Sequence, residues 1–229
     1  MIRKLMMAAA LCGVACSGTT EPTMETTSGE ESAELAMPAP GRVELREAPD
    51  STLPEFSRAE LADLPAAPWA SARRGAAEVP AVLMAWASAE NRNWCAPMAP
   101  PALEGVSARA SELDGGWVVE FDQPGQPGVG IDGEACSDCG RGVFGIAGTS
   151  MGIDEMIETP RPSFADGSAT EVSPEDGSVV SATIAVPGQG CVYQVWSFLG
   201  AEHLEVMMGS LRFVETSTST TQVADLAVY

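Results

Sequence analysis

Two pairs of apolar segments, each joined by a glycine-rich turn, constrain the fold of this chain more than any other feature. In the first pair, Val106–Leu113 and Trp117–Asp122 flank an Asp-Gly-Gly turn, and in the second, Val179–Val186 and Cys191–Leu199 flank a Pro-Gly-Gln-Gly turn. Segments of this length, joined by so few residues, pair as antiparallel hairpins. Every second residue of Val179–Val186 is expected to face the core, because successive side chains of a strand point to opposite faces.

Helical patterns flank these strands. A capping box at 57–60 and an alanine-rich run over 80–90 that begins with a proline each predict a helix. The clearest helix follows Gly200, and its apolar stripe at helical spacing comprises Leu204, Met207, Met208 and Leu211. Strands and helices do not alternate regularly, so we predict the α+β class: an antiparallel sheet, with hairpins near 106–122 and 179–199, and a C-terminal helix packed on one face.

The segment over 16–50 is not expected to build a core. It is rich in Ser, Thr, Glu, Gly and Pro, and five glutamates precede its first basic residue, Arg42. Such a stretch is expected to be a disordered, self-repelling tether. The predicted organisation is therefore a signal over 1–15, this acidic tether over 16–50, a single α+β domain over 51–215 and a polar tail over 216–229.

The charge balance of the chain excludes several classes of partner. Its 32 Asp and Glu residues outnumber its 12 Lys and Arg residues, for a formal net charge of −20. Nucleic-acid binding is not expected, since it requires a basic face. Electrostatic docking on anionic lipid is excluded for the same reason. A surface this acidic is typical of a highly soluble domain.

Residues 1–15 have the order of an export signal. A positively charged start precedes the short apolar run Leu5–Leu11, and small residues follow it. The apolar run is far too short to span a bilayer. An ordinary secretory signal has this order as well, and would leave Cys16 as a free thiol.

The next residues carry a resemblance. The stretch GVAC, Gly13–Cys16, resembles the lipobox of bacterial lipoproteins. This resemblance implies cleavage before Cys16, acylation of that residue and loss of Cys12 with the signal. It also implies a lipid anchor in a membrane, which acyl chains make stable. Ser17 is the kind of residue that outer-membrane members of the class carry after the cysteine.

Four cysteines remain for the domain: Cys95, Cys136, Cys139 and Cys191. An even number in an exported domain predicts two disulfides, with three connectivities open. Two of these connectivities tie the loop CSDC, 136–139, to both other cysteines. The third pairs Cys95 with Cys191 and closes a small ring inside the loop.

Two other kinds of cysteine chemistry compete with disulfides. The stretch CSDCGRG resembles a zinc knuckle, and this resemblance implies a four-thiolate zinc site completed by Cys95 and Cys191. A thioredoxin-like redox pair instead requires its first cysteine at a helix amino terminus, whereas glycines and a strand follow CSDC here. Disulfides are the preferred prediction, and no cofactor is expected.

One enzyme-like pattern is present. The stretch GTSMG, Gly148–Gly152, matches the nucleophile elbow of serine hydrolases, with Ser150 as nucleophile and the sole histidine, His203, as base. Too few strand–helix units precede Ser150 for an α/β-hydrolase fold, and the sequence has no oxyanion motif such as HGGG. Catalysis by this pair is therefore the alternative rather than the preferred hypothesis.

Two features of the loops concern binding. Trp94 lies beside Cys95 in a proline-rich loop, and of the five tryptophans it is the one to examine as part of a ligand cleft. Asp132, Glu134 and Asp138 lack the full calcium-loop pattern, so a solvated acidic loop is expected. We predict an exported lipoprotein of the cell envelope, anchored in the outer membrane, with a non-catalytic binding or structural role.

Overall fold

A computed structural model describes residues 47–49, 52–130, 132–176 and 179–216 of the chain. The predicted signal, the acylation site at Cys16, the tether up to residue 46 and the tail from residue 217 lie outside the described residues. The predictions made for those segments therefore stay predictions.

The domain is built around a six-stranded sheet with the strand order β2-β3-β6-β9-β8-β7, in which neighbouring strands run antiparallel. Two short pairs, β1 with β10 and β4 with β5, complete the strands. The strands are β1 (Met98–Ala99), β2 (Ser107–Ser111), β3 (Trp117–Asp122), β4 (Gly128–Val129), β5 (Ala135–Cys136), β6 (Phe144–Gly148), β7 (Ala169–Asp176), β8 (Val179–Ala185), β9 (Val192–Ser197) and β10 (Arg212–Phe213).

Two helices contribute to a common core on one face of this sheet, which confirms the α+β class. Val82 of α2 and Leu204 of α4 are both buried in the same cluster as Val119 and Val195 of the sheet. Two short 3-10 helices, at 68–70 and 76–78, lie before α2. The α-helices are α1 (Arg58–Leu61), α2 (Pro80–Ser88), α3 (Ile153–Met156) and α4 (Ala201–Ser210).

Both predicted hairpins form. Strand β2 pairs with β3, and β8 pairs with β9 across the turn at 187–190. The core face of β8 follows the predicted alternation, with Val180, Ala182 and Ile184 buried. The capping box of α1 is also present, because Ser57 and Glu60 each accept a hydrogen bond from the other's backbone amide. Hydrogen bonds from the side chain and the backbone amide of Ser57 to the carboxylate lower the pKa of Glu60.

No strand or helix is predicted from the sequence over 154–178. The second half of this segment forms β7, an eight-residue strand that, among the described residues, pairs with β8 on one side only. An edge strand half open to solvent needs no apolar alternation, and Val172 is 55% exposed. The segment 123–142, for which no strand is predicted either, contains the short β4–β5 pair. Periodicity misses such elements because little apolar surface marks them.

Candidate functional site

A groove of about 600 Å³ lies at the turn between β8 and β9. We call it the Trp94 groove and define it by six of its lining residues: Leu53, Phe56, Trp94, Asp166, Pro187 and Gly190. The sequence singled out Trp94 among these residues. The other five come from three separate segments that only the tertiary structure brings together.

A disulfide joins two walls of the Trp94 groove. Cys95 and Cys191 are bonded to each other, and both are fully buried. The residues just before them are also linked, because the amide of Gly190 donates to the Trp94 carbonyl at 2.8 Å. A Cβ atom on Gly190 would lie 3.1 Å from Cε3 of Trp94, which is tighter than an ordinary van der Waals contact, so a larger residue would push the turn and the indole slightly apart.

Gln189 also links the β8–β9 turn to the loop that carries Trp94, which we call the Trp94 loop. Its Oε1 accepts a hydrogen bond from the Ala96 amide at 2.8 Å. The hydroxyl of Tyr193 donates to the Ala96 carbonyl at 2.9 Å and lies 3.2 Å from the same Oε1 of Gln189. Burial raises the pKa of the Tyr193 phenol well above its usual range, so it stays a neutral donor.

Asn91 anchors the Trp94 loop through hydrogen bonds. This residue is fully buried, and its carbonyl accepts the amides of Trp94 and Cys95. Its side-chain amide donates to the carbonyls of Gly148 and Thr149, each at 2.9 Å. The loop that presents Trp94 is therefore anchored to the end of β6. The sequence pattern did not indicate Asn91 or Gln189, because both act on backbone groups far away in the chain.

The third wall carries a fixed negative charge. Oδ2 of Asp166 accepts a hydrogen bond from Nε1 of Trp69 at 3.1 Å, and its Oδ1 accepts the Ser168 amide at 2.9 Å. These two donors hold the carboxylate in one orientation at the edge of the groove. The arrangement offers a ligand aromatic and proline rings together with one oriented carboxylate.

The two residues of the predicted hydrolase site are not brought together. Nδ1 of His203 lies 2.9 Å from the hydroxyl of the fully buried Ser197, and its ring packs 4.9 Å from Phe144 at the start of β6. Ser150 lies beyond the other end of β6, six residues from Phe144 and thus roughly 20 Å away along the strand. Its hydroxyl donates to the Asp114 carbonyl. The elbow pattern therefore gives no nucleophile–base pair here.

Burial, rather than a charged partner, shifts the pKa of His203. Desolvation lowers its pKa, so the neutral imidazole is favoured at the amino-terminal turn of α4. His203, which the sequence suggested as a general base, thus packs on Phe144 and forms a hydrogen bond with Ser197, where the ends of β6 and β9 meet.

The four domain cysteines form two disulfides, with the third of the predicted connectivities. Besides Cys95–Cys191, the structure contains Cys136–Cys139, which closes the small ring inside CSDC. The four sulfur atoms are thus paired covalently in two separate places, which is not the arrangement of the alternative four-thiolate zinc site. Over the part of the chain that the structure describes, no group of three or more His, Cys, Asp and Glu side chains is placed to hold a metal ion.

No helix within the described ranges is both long enough and apolar enough to cross a membrane. Comparison of the chain with models of known protein families, with curated proteins and with solved structures gave no match.

Proposed function

We propose that this protein is an exported, lipid-anchored, non-catalytic binding module of the cell envelope, and that the Trp94 groove is its binding site. One observation carries the binding part: an aromatic groove of which two walls are held together by a buried disulfide and by Gln189. Binding is favoured when a site is held in its bound shape beforehand, because less ordering entropy is lost. The anchoring part is supported by the lipobox-like sequence before Cys16 and by the acidic segment behind it.

The lining of the groove favours an extended, proline-rich peptide segment that carries a basic residue. Trp94, Phe56 and Pro187 supply flat or rigid apolar surface, which is the lining that polyproline-type helices dock against. Asp166 supplies an oriented carboxylate for a guanidinium or ammonium group. The net charge of −20 attracts basic ligands from a distance as well.

Replacing Trp94 by alanine is expected to weaken peptide binding by more than about tenfold, because a central aromatic anchor is lost. The probe is an oligoproline peptide with a single arginine, and binding is measured by isothermal titration calorimetry. Trp196→Phe, which does not line the groove, serves as the matched control and should bind normally. A peptide in which glutamate replaces the arginine should bind more weakly. If the wild-type protein does not bind the arginine peptide, or binds it unchanged after Trp94→Ala, the groove is not the binding site.

Anchoring is tested separately on protein extracted from native membranes. The intact mass is expected to match a chain that begins at Cys16 and carries fatty acyl groups, and Cys16→Ser should release the protein from the membrane. An unmodified mature chain that begins at another residue and is freely soluble would contradict the anchor. That outcome would not change what the peptide-binding experiment says about the groove.

A further inference from the structure

The two disulfides lie in opposite environments. Cys95 and Cys191 have no exposed surface, whereas Cys136 and Cys139 are partly exposed and flank two exposed residues, Ser137 and Asp138. Thiol–disulfide exchange requires a thiolate to reach one sulfur of the bond. Within the folded domain, only the Cys136–Cys139 bond is accessible to such an attack.

The two bonds also differ in how much they constrain the unfolded chain. The buried bond joins residues 96 apart in sequence, and the exposed bond joins residues 3 apart. In the chain-entropy model the stabilisation from a crosslink grows with the length of the loop that it closes. The exposed bond is therefore the one whose opening costs the fold least.

The exposed bond has one better leaving group. The backbone amide of Cys139 points at Sγ of Cys136, with a nitrogen–sulfur distance of 2.9 Å. When the bond breaks, this amide remains in place to donate to a thiolate on Cys136. A hydrogen bond to the charged form favours ionisation, and the more acidic thiol leaves faster. Attack on Cys139, with Cys136 leaving, is thus the favoured direction.

We propose that Cys136–Cys139 is a thiol–disulfide exchange site that is reduced by a dithiol without net negative charge. A thiolate of the dithiol attacks Sγ of Cys139 and forms a mixed disulfide, and the electron pair of the broken bond leaves on Cys136. The second thiolate of the dithiol then attacks its partner sulfur in the mixed disulfide and displaces Cys139. The protein gains two electrons, the dithiol becomes a cyclic disulfide, and the two new cysteine thiolates take up the protons that the dithiol released. This activity is independent of the proposed groove function.

The charge of the loop selects the reductant. Asp138 lies between the two cysteines, Asp132 and Glu134 precede them, and Arg141 is the nearest basic residue in sequence. Asp132 is held in the loop because its Oδ1 accepts the Glu134 amide. Three carboxylates against one guanidinium repel the thiolate of glutathione, which carries further carboxylates, more than the thiolate of an otherwise uncharged dithiol. Exchange is expected to be faster with the neutral reagent.

Opening of the bond is expected to stay local. The base of the loop is held by backbone hydrogen bonds that do not involve the sulfurs: the Gln123 amide donates to the Gly140 carbonyl at 2.7 Å, and the Val129 amide donates to the Arg141 carbonyl at 2.8 Å. Arg141 also lies so close to Gly128 that a Cβ there would come within 2.0 Å of its carbonyl oxygen. Reduction therefore frees the tip of the loop without unfolding the sheet.

The first experiment is a titration of the folded full-length chain with dithiothreitol, followed by alkylation and site-resolved mass spectrometry. Cys136 and Cys139 are expected to become alkylated at a reductant concentration at least about tenfold below that needed for Cys95 and Cys191. Far-UV circular dichroism should not change over that interval. Alkylation of all four cysteines together, or resistance of Cys136 and Cys139, would overturn the proposal.

The second experiment tests the direction and the charge selection. With limiting glutathione, the trapped mixed disulfide is expected on Cys139, and finding it on Cys136 would refute the leaving-group assignment. Asp138→Asn should raise the rate with glutathione, relative to the rate with dithiothreitol, by about threefold. Asp63→Asn, an exposed carboxylate outside the loop, is the matched control and should leave that ratio unchanged. An equal ratio in both variants would remove the charge selection from the proposal.

Discussion

Replacing Cys95 and Cys191 together by alanine is expected to lower the free energy of unfolding by about 4 to 5 kcal/mol, the largest loss from removal of any one crosslink in this domain. The bond closes a loop over a sequence separation of 96, so its absence restores much conformational freedom to the unfolded chain. Both sulfurs are fully buried in the core cluster, so the alanines also leave a cavity. Equilibrium unfolding in urea, without reductant, measures the change.

The matched control is the double replacement of Cys136 and Cys139 by alanine. Its ring spans only three residues in sequence and lies at the surface, so the expected loss is about 2 kcal/mol or less. The Cys95/Cys191 variant should also lose affinity for the peptide probe, because Trp94 and Gly190 are then held together by hydrogen bonds without the covalent bond beside them. Equal losses of stability in the two double variants would show that loop length and burial do not govern these crosslinks.

The parts of the fold that the sequence predicted are those with a strong local signal. The β8–β9 hairpin has apolar alternation on both sides of a glycine turn, and α4 has an apolar stripe that ends with the buried Leu211. In both cases the residues that determine the structure are close together in sequence: they lie in one helix or in two consecutive strands. Burial of a regular apolar face is then enough to fix the element.

The parts that the sequence did not predict depend on distant contacts. Strand β7 exists because β8 offers it a hydrogen-bonding edge, and its own residues carry little apolar signal. The pairing of four cysteines allows three connectivities, and only the position of the Trp94 loop beside the Gly190 turn selects one. Phe56 and Asp166 face the same groove from segments separated by more than a hundred residues. No local sequence pattern indicates that residues so far apart in the chain line the same groove.

The hydrolase alternative shows the opposite case, in which a local pattern has no tertiary counterpart. GTSMG follows a strand as the elbow motif requires, yet the strand is an interior member of an antiparallel sheet. Ser150 is therefore delivered to the end of β6 opposite to the one that His203 packs against. Gly148 of the same stretch has a packing role instead, since it makes room for two buried side chains.

Gly148→Ala is the second replacement with a large expected effect, because the new methyl group has no space. Its Cβ would lie 2.3 Å from Nε1 of Trp117 and 2.6 Å from Sγ of Cys95. Trp117 is only 1% exposed, and Cys95 is fixed by its disulfide, so neither atom can retreat. We expect a loss of about 3 kcal/mol in unfolding free energy, at the upper end for overpacking.

A matched glycine separates this steric effect from the general effect of adding a methyl group. Gly209 lies in α4, and nothing lies within 4 Å of its Cβ position, so Gly209→Ala is expected to stabilise the protein by about 0.5 to 1 kcal/mol through helix propensity. Trp117→Phe removes the atom nearest to the Gly148 methyl, so in a double-mutant cycle the two replacements should be less destabilising together than the sum of their separate effects. Urea unfolding of all four variants gives the comparison. Additive losses in the cycle, or a Gly148→Ala protein as stable as Gly209→Ala, would contradict this expectation. Either result would mean that the side chains around Trp117 can move aside to accommodate the methyl group.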